Sequence, residues 1–212
     1  MNTFSKSRIY DVYPLLSTYS YDSLTDRNNI SDLNLENSKR LIQGVSNWDF
    51  VPTTPSLLNM IIFDICMNLE DKRYFPTISF LDIGCGSGLI PELMYKIFGF
   101  YCEGIEYNKS IAKYAQSKLA KYRYNNRVKI YYKNAFTYKG YSNFDILYAY
   151  QPIQNERWEQ KFLSRIINSM KQGATFYYIS SNNFCQGHLQ DMSYNECISL
   201  QYSNSIYKII KL

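Results

Sequence analysis

The chain is poor in the residues that metal sites, acid–base relays and nucleic-acid surfaces use. It has a single histidine, His188, and its 23 basic and 18 acidic side chains leave a net charge of +5 among 212 residues. No run of lysine or arginine occurs, so a nucleic-acid partner is disfavoured but stays open. The five cysteines are odd in number and scattered, which predicts no metal site and a reducing, cytoplasmic compartment.

Long apolar segments are also absent. No stretch approaches the roughly 20 apolar residues that a membrane-spanning helix needs, and the N-terminus has no signal-peptide core. We expect no membrane contact, and 212 residues suffice for one buried core. The expected main domain covers residues 51–212. Residues 1–50 form a polar, tyrosine-rich extension, interpreted as a lid, an acceptor-recognition element or an oligomerisation arm, with the oligomeric state left open.

The most informative segment starts at Phe80 and reads FLDIGCGSGL. The apolar run from Thr77 to Ile83 predicts a buried parallel strand, and Leu89 to Phe98 predicts the helix that follows. Glycines at every second position between them let the backbone turn sharply and approach a ligand closely. The amides at the helix N-terminus point toward that ligand. Together these features are typical of a loop that binds an adenosine-containing cofactor.

The glycine spacing distinguishes between cofactors. A dinucleotide-binding loop reads G-x-G-x-x-G and would need glycine where this chain has Leu89. Asp82 instead precedes the first glycine by two residues, and D-x-G-x-G-x-G closely resembles the first motif of class I S-adenosylmethionine-dependent methyltransferases. That resemblance implies that Asp82 orients the methionine end of S-adenosylmethionine and that the loop backbone passes beneath it, at Gly84, Cys85, Gly86 and Gly88. The alternative is an ordinary strand-to-helix turn that uses glycine.

Two further strand ends complete the predicted cofactor site. Tyr101 to Glu106 reads as a strand that ends in an acid about twenty residues after the glycine loop, where a ribose-binding carboxylate is expected. The segment GIEYNKS resembles the family's second motif, which implies ribose binding by Glu106, with Tyr107 against the adenine. After a third strand, the resemblance implies adenine contacts at Asn134 and Ala135. A solvated acid at Glu106 and a plain turn at Asn134 are the alternatives.

The acceptor side is predicted at the end of the fourth strand, Phe144 to Tyr150. In the family this segment lies beside the transferable methyl group, which implies catalytic and acceptor-binding roles for Tyr150 and Gln151 and acceptor contact by Pro152. The sequence YQPI lacks the second proline and the aromatic residue of N/D-P-P-Y motifs. This difference weakens the assignment of the chain to the enzymes that methylate bases or glutamine amides. A buried strand end closed by a proline turn is the alternative. His188 is either a base that reaches the acceptor or an ordinary polar loop residue.

The remaining pattern predicts the rest of an α/β fold. Three further helices are expected, at residues 57–69, 109–122 and 155–172. Thr53 or Thr54 is expected to cap the first of them and Asn108 the second. Strands are expected at residues 127–132 and 174–180, followed by a terminal antiparallel hairpin at 196–202 and 205–212. We therefore predict a Rossmann-like, mostly parallel seven-stranded sheet with helices on both faces, preceded by a mostly helical extension.

The resemblance implies methyl transfer from S-adenosylmethionine to a small-molecule or protein acceptor. A sulfonium methyl group is already electrophilic, so the main task of the protein is to align it with the acceptor lone pair. No compelling catalytic base is visible, which suits an amine, a thiolate or an acidic hydroxyl. The alternatives are an aminopropyltransferase, a non-catalytic S-adenosylmethionine-binding scaffold and an RNA methyltransferase. The sequence lacks the paired acids expected in the first of these and the basic stripe expected in the third.

Overall fold

A computed structural model describes residues 53–69, 72–153, 155–180, 197–201 and 206–212. The predicted extension over residues 1–50 and His188 lie outside these ranges, so the expectations for both stay predictions. The described ranges contain the glycine loop and every strand end to which a cofactor or acceptor contact was assigned.

Seven strands of the described chain form one sheet in the order β3-β2-β1-β4-β5-β7-β6. Their bounds are Ser79–Ile83 (β1), Tyr101–Glu106 (β2), Val128–Tyr132 (β3), Ile146–Tyr150 (β4), Thr175–Ile179 (β5), Cys197–Gln201 (β6) and Ile206–Lys211 (β7). Strands β1 to β5 run parallel, whereas β7 pairs antiparallel with both β5 and β6. The predicted α/β class, with a mostly parallel sheet and an antiparallel C-terminal pair, is confirmed.

The two faces of this sheet are covered by four helices of the described chain, which are Pro55–Asn68 (α1), Leu89–Phe98 (α2), Lys109–Lys118 (α3) and Glu156–Ser169 (α4). Apolar residues of α1, α2 and α3 join Phe80 and Tyr148 in one core cluster. Those of α4 join the adjacent residues on the same strands, Leu81 and Leu147, in a second cluster. Since successive strand residues face opposite sides, the sheet is buried on both faces, which explains its apolar strands. Among the described residues, no helix has both the length and the apolarity to span a bilayer.

Helix α1 begins at the expected proline but without the expected cap. Pro55 lies in the first turn and Thr54 at the N-cap position, yet Thr54 makes no capping hydrogen bond through its side chain. Its hydroxyl lies 3.2 Å from Ser56 Oγ, and the Thr53 hydroxyl forms a hydrogen bond with the buried Tyr148 hydroxyl. The capping prediction is wrong because both threonine hydroxyls have other partners. The Thr53 contact holds the segment before α1 on β4.

Helix α3 is shorter than the predicted helix. Asn108 caps it as predicted, since its Oδ1 accepts two backbone hydrogen bonds in the first turn. The α-helix ends at Lys118 and not at Tyr122, and a tighter 3-10 turn follows. That turn brings the Tyr122 hydroxyl within 2.9 Å of Glu92 Oε1 on α2. Packing against α2 therefore overrides the local preference for a longer helix.

Strand β1 lies where the strand order reverses, between β2 and β4. In open α/β sheets, ligands bind in the crevice beyond the carboxyl ends of the strands at such a point. Asp82, Glu106 and Tyr150 lie at or next to the carboxyl ends of β1, β2 and β4. The topology thus brings three separate sequence segments to one edge of the sheet.

A buried ion pair links α1 to the antiparallel end of the sheet. The Lys208 ammonium on β7 lies 2.7 Å from Asp64 Oδ2 on α1, and both side chains are buried. Tyr177 on β5 donates a hydrogen bond to the same oxygen, and Asn68 Nδ2 donates to the other at 2.9 Å. Removing one partner of a buried pair leaves an uncompensated charge in the core. The pair therefore holds α1 on β5 and β7.

Replacing Lys208 by methionine should destabilise the fold by about 3–5 kcal/mol, because Asp64 would lose its buried counter-charge. Urea unfolding followed by circular dichroism measures the change. The matched control is Lys113→Met on the exposed side of α3, which should change stability by no more than about 0.5 kcal/mol. Equal effects of the two variants would contradict a role for this ion pair.

Candidate active site

Alternating glycines determine the path of the loop between β1 and α2. Gly84, Gly86 and Gly88 have positive φ angles of +81°, +52° and +77°. The amides of Gly84 and Cys85 both donate to the Ile105 carbonyl on β2, at 2.8 and 3.1 Å. The loop therefore leaves β1 across the end of β2. Gly84 is exposed, so its backbone is accessible to a ligand.

Gly88 is required by both conformation and space. Its left-handed φ is costly for a residue with a Cβ, and a Cβ here would lie 2.6 Å from Leu119 Cδ1. It occupies the N-cap position of α2. On β2, a Cβ on Gly104 would lie 2.6 Å from Cys85 Sγ. Close packing between the loop and its neighbours thus fixes the position of the loop.

Glu106, at the end of β2, binds the glycine loop directly. Its Oε2 accepts a hydrogen bond from the Gly86 amide at 3.0 Å, and its Oε1 accepts one from the Asn108 amide at 2.7 Å. Burial raises the pKa of Glu106, and the backbone donors partly offset that rise. The predicted ribose carboxylate therefore also joins the loop to the start of α3. The Tyr107 amide is a third backbone donor to this carboxylate, which leaves about one of its roughly four lone-pair positions for a ligand.

Asp82 is the second acid at this edge of the sheet, and only 2% of its surface is exposed. No hydrogen bond or ion pair to its carboxylate is found among the described residues. Burial, followed by the negative charge of Glu106, raises the pKa of Asp82 well above its usual value. A buried carboxylate is costly until a cation or hydrogen-bond donor reaches it. The geometry thus suits a positively charged ligand group at Asp82.

Cys85 lies in the loop with its thiol buried. Burial raises the pKa of this thiol, and the charges of Asp82 and Glu106 raise it further. A neutral thiol is a poor nucleophile. The Cys85 amide donates to the Ile105 carbonyl and its carbonyl accepts from the Gly88 amide at 2.9 Å, while its side chain packs toward Gly104. Cys85 therefore shapes the loop, and its predicted cofactor contact stays a prediction.

The predicted adenine contacts lie after neighbouring strands. Tyr107 follows β2 and is 37% exposed, so its ring is accessible. Asn134 follows β3, and its Oδ1 accepts a hydrogen bond from the Phe136 amide at 2.8 Å, which is the turn geometry expected under the alternative interpretation. The Ala135 amide has no acceptor among the described residues. A ligand would therefore find a donor more readily at the Ala135 amide than an acceptor at the Asn134 side chain.

The segment after β4 lies against the glycine loop. A Cβ on Gly84 would come within 3.3 Å of Pro152 Cβ, so the two segments are in close contact. Gln151 is buried, has a φ of +27°, and donates its amide to the Ile179 carbonyl on β5 at 2.8 Å. Such a φ is strained for a residue with a Cβ, and backbone strain of this kind concentrates at functional sites. Tyr150 is partly buried at the end of β4.

The structure adds residues that the sequence patterns did not single out. Ser87, inside the loop, is completely buried, and its hydroxyl has no hydrogen-bond partner among the described residues. Glu159 on α4 is 1% exposed and accepts hydrogen bonds from Tyr178 and Ser180 at the end of β5. Glu159 could have been found from the sequence, because an acid within the apolar stripe of an amphipathic helix is unusual. No sequence pattern indicates that Ser87 is buried. The described part of the chain contains no cluster of three or more side chains suited to metal binding.

Comparison with known proteins identifies the family. A family model described as a methyltransferase domain matches residues 75–211, a range that contains the glycine loop and all seven strands of the described sheet. The search of curated proteins found no match. The family assignment therefore rests on the domain model, and the solved structures bear on the fold.

Two solved structures illustrate that fold. An RNA methyltransferase from Salinibacter ruber, in complex with S-adenosyl-L-homocysteine, is 15% identical with a TM-score of 0.53, and the match covers 76% of this chain and 93% of that one. A SAM-dependent O-methyltransferase from Thermotoga maritima is 14% identical with a TM-score of 0.53, covering 77% and 68%. Because the domain model spans most of the chain and the sheet is Rossmann-like, this chain belongs to the S-adenosylmethionine-dependent methyltransferases.

Proposed function

We propose that this chain binds S-adenosylmethionine beyond the ends of β1 and β2 and transfers its methyl group to an acceptor at the end of β4. The observation that carries the proposal is the buried Asp82 carboxylate, which has no partner among the described residues. The methionine part of the cofactor has an ammonium group, and an acid so placed would pair with it. The cost of burying Asp82 is then offset when the cofactor binds.

Other groups along the same edge of the sheet would hold the rest of the cofactor. Glu106 keeps a lone pair for a ribose hydroxyl beside its three backbone donors. The Ala135 amide supplies a donor for an adenine ring nitrogen, with the exposed Tyr107 ring against the base. Gly84 has no side chain, so its exposed backbone can pack close to Pro152 and still be reached by the reacting end of the cofactor. These residues fit an adenosine-containing cation better than a dinucleotide with two phosphates.

When bound, S-adenosylmethionine supplies an electrophilic methyl group, so the chain has to orient the acceptor and exclude water. Tyr150 and Pro152 would supply aromatic and apolar surface beside the loop. The hydrogen bond from the Gln151 amide to Ile179 holds the strained backbone in place, which restricts the directions open to the Gln151 side chain. Alignment, and not proton abstraction, is then the main contribution of these residues.

The acceptor class is argued separately, because a fold of this kind serves many substrates. We infer a small-molecule or protein acceptor, since the sequence has no run of basic residues. An RNA acceptor is the second candidate, because an RNA methyltransferase shares the fold. A non-catalytic scaffold would bind the cofactor without transfer. The same proposal includes residues 51–212 as the catalytic domain, residues 1–50 as its lid, recognition element or oligomerisation arm, and a cytoplasmic location.

Calorimetric titration of the full chain with S-adenosylmethionine, S-adenosylhomocysteine and NAD tests the cofactor. We expect the first two to bind with dissociation constants in roughly the micromolar range and NAD not to bind. Absence of heat with both adenosyl ligands would remove the enzyme proposal. Binding without transfer to any acceptor would favour the scaffold.

Asp82→Asn should weaken S-adenosylmethionine binding and stabilise the fold at neutral pH. Because the pKa of Asp82 is raised in the folded protein, protonated Asp82 contributes stability at low pH. That contribution is lost as the pH rises from the ordinary pKa of an aspartate through the raised pKa of Asp82. Asparagine removes that loss, so the melting temperature should rise by a few degrees, on the order of 1 kcal/mol. Affinity should fall about tenfold or more without the carboxylate. Calorimetry and thermal unfolding at several pH values measure both effects.

Asp145→Asn is the matched control for this substitution. Burial opposes ionisation of Asp145, but Lys171 and Ser79 outweigh it and lower its pKa. Its stabilisation is therefore present at neutral pH and lost as the pH falls, so the control variant should be destabilised with unchanged cofactor affinity. If Asp82→Asn behaves like the control, Asp82 is a structural acid and not a cofactor ligand.

Tyr150→Ala and Gln151→Ala should each reduce the rate of methyl transfer by about tenfold to a hundredfold. A misplaced acceptor is no longer aligned with the methyl group, and the reaction rate depends strongly on that alignment. Cofactor affinity, measured by calorimetry, should not change. Tyr132→Ala, at a half-exposed position on β3, is the control and should leave both quantities unchanged. Unaltered transfer in the first two variants would remove the acceptor-side assignment.

A further inference from the structure

Helix α4 carries one acid on its buried face. Glu159 is 1% exposed and lies on the same side of the helix as Phe162, Leu163 and Ile166, which are buried in the second core cluster. Acids are almost never fully buried unless they are paired or bind a ligand. Packing of the apolar face of α4 therefore does not explain why an acid is buried at position 159.

The Glu159 carboxylate is only half satisfied. Its Oε1 accepts hydrogen bonds from the Tyr178 hydroxyl and from the Ser180 hydroxyl, the latter at 3.3 Å. Its Oε2 is buried and has no hydrogen-bond partner, and no ion pair to Glu159 is found among the described residues. Leaving a charged oxygen buried and unpaired costs more than a lost neutral hydrogen bond. Two neutral donors on one oxygen do not balance the charge.

Glu159 and the acceptor segment contact consecutive residues at the end of β5. Ser180 directly follows Ile179, whose carbonyl accepts the Gln151 amide at 2.8 Å. The first turn of α4 also reaches the loop after β3, because the Trp158 ring packs edge-on against Phe136, with ring centroids 5.5 Å apart. Glu159 is in that same turn. It therefore lies near the carboxyl end of β5, which pairs with the end of β4 where the acceptor segment begins.

We propose that Glu159 binds the amino group of the methyl acceptor, so that the substrate is an amine; this inference rests on the proposed methyl transfer. A carboxylate with one free oxygen favours a ligand that brings positive charge and N–H donors. Hydroxyl and thiol acceptors bring a donor but no cation. An amine held by one N–H keeps its lone pair free to point toward the methyl group.

The reaction balances with these groups. The bound ammonium ion first loses one proton to solvent. The neutral amine nitrogen then uses its lone pair to form the new N–C bond while the C–S bond breaks and its electron pair stays on sulfur. Positive charge moves from sulfur to nitrogen, and S-adenosylhomocysteine leaves as the neutral product. Glu159 would stabilise the charge that develops on nitrogen, which is a transition-state contribution. The extra proton then leaves the methylated nitrogen for solvent.

The experiment compares Glu159→Gln with Glu156→Gln in the full chain. Glu156 lies in the same helical turn but is exposed, so both variants remove one acidic charge near the same helix terminus. Each protein is incubated with S-adenosylmethionine and with matched sets of primary amines, alcohols and thiols, and S-adenosylhomocysteine release is measured. Thermal unfolding and calorimetric titration with S-adenosylhomocysteine are recorded in parallel.

We expect methyl transfer to members of the amine set only. Glu159→Gln should lower kcat/KM for those amines by about tenfold to a hundredfold, the ratio that a charged hydrogen bond supplies. Affinity for S-adenosylhomocysteine should be unchanged and thermal stability unchanged or higher. Glu156→Gln should behave like the wild type in all three measurements.

Two results would overturn the inference while leaving the proposed function intact. One is S-adenosylhomocysteine binding together with transfer to alcohols or thiols and to no amine in the set. The other is amine methylation that Glu159→Gln does not reduce even though that variant is more stable, which is the signature of a purely structural acid. Failure to bind either adenosyl ligand would instead overturn the proposed function itself.

Discussion

The contact between the Glu106 carboxylate and the Gly86 amide is the constraint on which the cofactor edge of the sheet depends. A loop with three left-handed glycines has many accessible paths, and Glu106 selects one by holding Gly86 at 3.0 Å while also binding the Asn108 amide. The loop, the end of β2 and the start of α3 thereby form one unit. Its geometry leaves Gly84 exposed and Asp82 buried beneath it, so the same residue that would bind ribose also builds the surface on which the cofactor would lie.

Several destabilising features of the protein without ligand lie at one edge of the sheet. Asp82 and Glu159 are buried acids whose charges the described residues do not balance, and Gln151 has a strained backbone. The opposite situation is found away from that edge, where Asp64 and Lys208 are buried as a complete ion pair. Stability is therefore supplied by the two apolar cores and the paired charges. Buried acids without a balancing charge occur together with backbone strain at the edge where the proposed ligands would bind.

Much of the fold followed from local patterns. Apolar strands flanked by glycine and asparagine predicted β1 to β5 and the antiparallel end, and the Asn108 cap was predicted with its role. The failures have tertiary causes. Helix α3 stops at Lys118 because the next turn tightens to bring Tyr122 onto Glu92, and Thr53 bonds Tyr148 across 95 positions of sequence instead of capping α1. Local propensity contains no information about such distant partners.

The sequence by itself determined the family and the cofactor, because the features that identify them are local. The spacing D-x-G-x-G-x-G specifies the backbone conformation of the loop, and Glu106 is the acid at the end of a strand. Only the tertiary structure decided which groups of the proposed site are buried without a partner among the described residues. Pairing depends on residues from other strands: Asp82 has no partner among the described residues, Pro152 meets Gly84, and Glu159 shares one oxygen between Tyr178 and Ser180. The proposed acceptor side combines residues of β4, β5 and α4, whose contacts arise only once the sheet has formed, and no single segment of sequence carries that information.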